Sequence, residues 1–168
     1  LIGEKASDKG LELVFEVDPD VPTQLVGDPL RLGQILLNYA NNAVKFTEQG
    51  DIGVHVSVLN REEQEVTLHF AVTDTGIGLS SDQIGQLFQR FQQADNSITR
   101  QFGGTGLGLA ISRKLALMLQ GEVGVESELG KGSNFWFTAK LKLDPQPQAS
   151  TPWTVGVAST RALVVDDN

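Results

Sequence analysis

The chain of 168 residues contains no cysteine, which excludes disulfides, cysteine-based zinc sites and thiol catalysis and fits a reducing compartment. It has no uninterrupted apolar run near the roughly 18 residues that a membrane span requires, and no signal-peptide pattern opens it. Cations are the scarcer sign: 13 Lys and Arg against 21 Asp and Glu leave a net charge of −8. That balance argues against a general nucleic-acid binder. It does not exclude an anionic ligand, because a few local cations and backbone amides suffice to hold phosphate. The rest is ordinary for a globular protein: 40% hydrophobic residues, 18 glycines for several tight loops, and a length that fits one domain with a real core.

The most informative stretch runs from Asp28 to Thr47. Asp28 suits a helix N-cap, and Pro29 follows where its missing N–H costs nothing. Leu32, Ile35, Leu36, Tyr39, Ala40 and Ala43 recur at helical spacing as an apolar stripe. A second stripe carries Arg31, Gln34, Asn38, Asn41 or Asn42, and Lys45. A merely solvated face favours Lys and Glu, whereas each Asn costs about 0.5 kcal/mol or more against Ala. The asparagines therefore read as wanted for their amides, with Asn38 and Asn42 one turn apart and Lys45 just beyond. The helix is expected to end near Glu48–Gly50, with Gly50 as a left-handed cap.

The other elements follow in order. Residues 1–10 begin mid-helix or in a linker, and 11–17 read as a strand. Residues 52–59 and 66–73 form an antiparallel hairpin across the polar turn 60–64. Its His55 and His69 alternate with apolar residues and read as polar groups on a solvated sheet face, without a third metal ligand. Asp74-Thr-Gly76-Ile-Gly78 ends the hairpin: either an ordinary turn, or a carboxylate and close backbone suited to a flat ring. Residues 81–89 read as a short helix. A polar connection through Arg90, Phe91 and Arg100 to Phe102 is long enough to be a lid or binding loop. Gly103-Gly104-Thr105-Gly106-Leu107-Gly108 then opens a helix whose expected apolar face is Leu107, Ile111, Leu115 and Met118, with Gly121 as its stop. Glycines emptying into a helix start present free N–H groups to phosphate. The stretch is neither a dinucleotide fingerprint nor a P-loop, lacking the preceding strand of one and the Gly-Lys-Ser/Thr of the other. Residues 122–127 and 134–143 are strands flanking a glycine turn at 128–133. Residues 144–160 read as a proline-rich linker. Residues 161–168 form an apolar strand ending in Asp166 and Asp167.

Taken together, these stretches resemble the sensor histidine kinases. Asn38-Tyr-Ala-Asn-Asn42-Ala-Val-Lys45-Phe46-Thr47 resembles their N box, Asp74–Gly78 the G1 box, Phe88 and Phe91 the F box, and Gly103–Leu109 the G2 box. The turn containing Gly130 and Gly132 looks like the G3 motif. All occur in family order on the expected elements, over approximately residues 10–143. Residues 161–168 resemble the first strand of a receiver domain, which implies a hybrid kinase.

The resemblance implies the fold class of the gyrase, chaperone, histidine-kinase and mismatch-repair superfamily. This is an α/β two-layer sandwich with a mixed, mostly antiparallel sheet, helices on one face and an ATP lid. It implies ATP and Mg²⁺ as cofactors. Asn42 would be a metal ligand, Asn38 its support and Lys45 a phosphate contact. Asp74 would accept from the adenine amino group, with Gly76 and Gly78 beside it. Arg90, Phe91, Arg100, Gly104, Thr105, Gly106, Leu107 and Gly108 would line the lid and phosphate side. Implied partners are a His-bearing dimerisation domain of the same kinase and a receiver domain or response regulator, with no nucleic acid and no direct membrane contact. The implied location is cytoplasmic, with the full-length kinase open to an inner-membrane anchor. Two other classes remain: an ATP-hydrolysing clamp of the same superfamily and a non-catalytic regulatory module. The clamps carry Glu at the position of Asn38, and a neutral amide cannot serve as that base.

Overall fold

The structure is a computed structural model that describes residues 2–90 and 107–145, apart from the side chains of Gln86, Phe88, Gln89 and Arg90. The sequence expectations for Phe91, the lid through Phe102, Arg100, Gly103 to Gly106, most of the linker and the receiver-like strand lie outside the described residues. Among the described residues the elements follow in the order α1 (Ile2–Asp8), β1 (Glu12–Val17), β2 (Leu25–Val26), α2 (Pro29–Phe46), β3 (Asp51–Arg61), β4 (Glu65–Asp74), α3 (Ser81–Arg90), α4 (Leu107–Met118), β5 (Val123–Glu128) and β6 (Gly132–Leu143).

The strands form one mixed sheet, ordered β1-β3-β4-β6-β2, with β5 pairing the far side of β6. β1 runs parallel to β3, and every other pairing is antiparallel. Alternation along β4 explains the layering. Val66, Leu68, Phe70 and Val72 turn inward to the helices, while His69 faces out beside the Trp136 ring at 5.5 Å. The core joins Ile35, Tyr39, Ala40, Ala43 and Val44 of α2 to Ile52, Phe137, Ala139 and Leu141 of the sheet. Phe70 and Phe137 stack at 4.7 Å with planes 7° apart, and Tyr39 meets Phe137 edge-on at 6.1 Å.

The helix ends correct several expectations. Asp28 caps α2 as expected, its carboxylate accepting from the Arg31 N–H at 3.2 Å. Gly50 does not end that helix. Thr47 does, in extended conformation, and the ammonium of Lys9 lies 2.7 Å from the Val44 carbonyl oxygen and 3.1 Å from that of Thr47. A cation on the orphan carbonyls of a last turn replaces the glycine cap. Gly121 does follow the end of α4 as expected: Gln120 takes the left-handed φ of 55°, and Gly121 N–H closes the last turn onto Ala116 O at 2.9 Å. Gly121 is small because a Cβ there would strike the Thr138 carbonyl.

The expected apolar face of α4 is also rotated. Leu107, Ile111 and Met118 are exposed, whereas Ser112, Ala116 and Leu119 are buried. Gly108, Ser112 and Ala116 form a row of small residues that lets α4 approach α2 closely; Leu109 and Leu115, the latter as expected, still pack on the core, while Leu107, Ile111 and Met118 turn outward. α3 starts with a reciprocal cap: Gln83 N–H donates to Ser80 Oγ at 3.3 Å and Ser80 N–H to Gln83 Oε1 at 2.8 Å.

Ile35 has no exposed surface, so Ile35→Ala should cost about 2–5 kcal/mol in urea unfolding, with an unchanged slope. A loss under about 1 kcal/mol would mean that α2 is not seated on the sheet as described.

Candidate nucleotide site

The site grows from one row of α2. Asn38, Asn42 and Phe46 follow at one-turn intervals and so line a single face over about 12 Å of helix. At one end of the row, Asn38 Nδ2 donates to Ser112 Oγ of α4 at 2.9 Å. A Cβ on Gly108 would lie 3.0 Å from Asn38 Cγ and closer still to its oxygen, so glycine is required there for the amide to keep its place. In the middle, Asn42 is partly buried, and among the described residues its side chain has no hydrogen-bond partner. Asn41 is excluded from this row: its Nδ2 donates back to Leu37 O at 2.7 Å, and Lys5 Nζ of α1 lies 3.4 Å from its oxygen. Lys45 is exposed, with Nζ 4.9 Å from the centre of the Phe46 ring.

At the other end of the row, α2 joins the tip of β4. Ile77 N–H donates to Phe46 O at 3.3 Å, and Gly76 N–H to Asp74 Oδ1 at 2.9 Å. A Cβ on Gly76 would lie 2.5 Å from Phe46 O and 2.9 Å from both Asp74 Oδ1 and Thr47 Oγ1, so three oxygens converge on its Cα. Burial pushes the Asp74 carboxyl up from its ordinary pKa, while N–H groups of Gly76 and Ser133 pull it partly back.

The Gly130–Gly132 turn braces this loop from behind. Gly130 N–H donates to Ile77 O at 2.7 Å, and Leu79 N–H to Ser127 Oγ at 2.8 Å, a hydroxyl itself 2.8 Å from Gly132 O. Gly78 (φ 64°) and Gly132 (φ 105°) would carry Cβ atoms into the Glu128 carbonyl and the Asp74 backbone. Gly78 thus holds the loop against the β5–β6 turn. A small apolar pocket adjoins the site, lined by Tyr39, Leu87, Leu109, Val123, Gly124, Val125 and Phe135.

The structure therefore brings Asn38 and Gly108 together at one end of the row and Asp74 and Gly76 at the other, with Asn42 between. Leu107 begins α4 with an exposed side chain, and Arg90 closes α3 with its side chain outside the described residues. Phe91, Arg100, Gly104, Thr105 and Gly106 lie wholly outside them. Sequence reading missed Ser112, Thr47 and Ser127. Only Ser112 left a signal, the spacing Gly108–Ser112–Ala116. His55 bonds Asp18 Oδ1 at 2.9 Å on the outer face, away from this row. Among the described residues no group of three His, Asp or Glu is arranged to hold a metal, and no helix is long and apolar enough to cross a membrane.

An open mixed sheet with helices on one face is the fold of solved histidine-kinase catalytic domains. Full-length ShkA, solved in complex with AMPPNP, matches it with a TM-score of 0.71 and 38% identity over 87% of this chain and 29% of that one. The catalytic domain of ThkA shares the fold, with a TM-score of 0.61 at 24% identity over 83% of this chain and 86% of that one. The chain belongs to the histidine kinase-, DNA gyrase B- and HSP90-like ATPase family, whose profile matches residues 27–143. It is 42% identical to the signal transduction histidine-protein kinase BarA of Escherichia coli K12, over all of this chain and 18% of that protein. It is 50% identical to the sensor protein GacS of Pseudomonas syringae, over 84% of this chain and 16% of that one. The chain thus spans less than a fifth of the length of these curated relatives.

Because burial raises the folded-state pKa of Asp74 above its unfolded value, stabilisation from its proton is full below the unfolded pKa and is lost as pH rises through the folded one. An ionised Asp74 is accordingly a cost to the empty protein at neutral pH. Asp74→Asn should raise the nucleotide-free melting temperature at pH 7, with the difference shrinking in acid; a lower melting temperature at pH 7 would contradict the burial argument. Gly108→Ala should displace Asn38 from Ser112 and cost about 1–3 kcal/mol in urea melts, and wild-type stability would show that α2 and α4 can part freely.

Proposed function

We propose that this chain is the ATP-binding catalytic domain of a hybrid sensor histidine kinase. It binds Mg–ATP and transfers the γ-phosphoryl group to a His on a separate dimerisation domain, from which the group passes to an Asp of a receiver. The observation that carries the reading is the continuous row of α2 from Asn38 to Phe46. It joins two amides, Asn38 held by Ser112 and Asn42 without a partner among the described residues, to a carboxylate held at a strand tip.

Asp74 accepts from the exocyclic amino group of adenine. An ionised carboxylate donates nothing and would face the guanine carbonyl with like polarity. Its Oδ1 is already engaged by Gly76, which orients the carboxylate for the ligand. Asn42 fits a hard cation, since its amide is without a partner among the described residues and offers one neutral oxygen. Mg²⁺ held by Asn42 would supply charge shielding for the triphosphate. Asn38 is oriented by Ser112 and supports Asn42 from the preceding turn. Lys45 neutralises phosphate charge. The α4 N-terminus at Leu107 and Gly108 presents N–H groups and its dipole, continuing from Gly104, Thr105 and Gly106. Arg90, Phe91 and Arg100 complete the phosphate side. Catalysis here is positioning and charge stabilisation, so the domain needs no nucleophile of its own.

Asn38 also weighs against ATP hydrolysis as the main activity. Its amide donates to Ser112, and a carboxamide cannot take a proton from water.

Calorimetry should find ATP bound more tightly than GTP by at least about tenfold, with the preference lost in Asp74→Asn. Asn42→Ala should abolish the Mg²⁺-dependent part of the affinity while leaving Mg²⁺-free binding unchanged. Equal affinity for both purines would refute the role of Asp74. The 168-residue chain should not phosphorylate itself, and it should form phosphohistidine on an added dimerisation domain. Absence of phosphohistidine there would overturn the kinase reading.

A further inference from the structure

Thr47 is completely buried, and among the described residues its hydroxyl has no hydrogen-bond partner. The rest of the residue is fully engaged. Its N–H donates to Ala43 O at 3.0 Å, and its carbonyl accepts from Lys9 Nζ at 3.1 Å. An unmade buried hydroxyl costs about 1–3 kcal/mol, and valine would fill the same space without that cost. Its surroundings suggest what offsets the penalty. Thr47 Oγ1 and Asp74 Oδ1 flank Gly76 Cα at equal distance from the point a Cβ would occupy, so a donor without an acceptor stands beside a carboxylate that burial destabilises.

We infer that Thr47 is a positioning residue for purine recognition: with nucleotide bound, its hydroxyl donates, directly or through one water, to Oδ1 of Asp74 and leaves the other carboxylate oxygen for the base. This rests on the role given to Asp74 above. Ligand closure removes solvent from Asp74, and in that drier setting a second donor on Oδ1 keeps the carboxylate ionised and aimed. Burial prevents Thr47 from touching the nucleotide itself, so it acts only through Asp74. Lys9 contributes upstream by holding the Thr47 carbonyl, which fixes the backbone from which the hydroxyl projects.

The test measures ATP affinity by calorimetry and melting temperature without nucleotide for the 168-residue chain. The variants are Thr47→Val, Thr47→Ser, Asp74→Asn and the double variant Thr47→Val/Asp74→Asn. Thr47→Val should weaken ATP about tenfold while leaving the melting temperature unchanged or higher. Thr47→Ser should restore affinity to within about twofold of wild type. In the Asp74→Asn background Thr47→Val should have no further effect, because the path runs through the carboxylate. Wild-type ATP affinity in Thr47→Val would overturn the inference while leaving the nucleotide site intact. So would a tenfold loss that persists undiminished in the Asp74→Asn background. A Thr47→Val chain that melts lower but binds ATP as tightly as wild type would reduce Thr47 to a packing residue. Undiminished ATP binding in Asp74→Asn would remove the role of Asp74 and this inference with it.

Discussion

The junction between the last turn of α2 and the tip of β4 governs the candidate site. Phe46 O accepts from Ile77 N–H, Gly76 admits three oxygens to its Cα, and Lys9 neutralises the carbonyls behind them. An α-helix ends with carbonyls that need partners. Here those partners come from the β4 tip and from the residue that follows α1, so ending the helix and building the site are one event. The asparagine row and the Asp74 carboxylate belong to different elements, and this junction joins them.

The second constraint is the close approach of α4. Gly108, Ser112 and Ala116 let α4 lie against α2, and the Asn38–Ser112 hydrogen bond locks that contact at the site end. Because the same amide is a candidate active-site group, packing and function share a residue. The β5–β6 turn plays a parallel role behind Asp74, where Gly78 and Gly132 remove side chains that would separate the two loops. The glycines of these turns divide into two kinds by what a Cβ would meet. Gly76 serves the carboxylate, while Gly78, Gly108 and Gly132 serve close packing that holds the site in shape.

The site also illustrates stability exchanged for function. Asp74 is a half-buried carboxylate pushed toward its neutral form, and the Thr47 hydroxyl has no hydrogen-bond partner among the described residues. Each costs the empty protein free energy, and both lie on opposite flanks of one glycine. Both stand beside a core of fully buried side chains, Ile35, Ile52, Val72 and Phe137.

Much of this was legible without coordinates, and for a definite reason. Helix caps, apolar periodicity and strand alternation are local, so Asp28, the α2 stripe and the β3–β4 hairpin follow from neighbours in sequence. The amide row was legible too, because residues one turn apart share a face in any α-helix. Tertiary structure decided the rest, since contacts between distant segments leave no local period. The face of α4 was misjudged because large apolar residues mark burial only when the partner surface is not already close, and small residues had brought it close. Lys9, Thr47 and Ser112 acquire roles only from what lies across from them, at separations of dozens of residues. Asn41 and Asn42 are chemically identical neighbours in the sequence; Asn42 lies one turn from Asn38, while Asn41 bonds back to Leu37 O and meets Lys5 of α1.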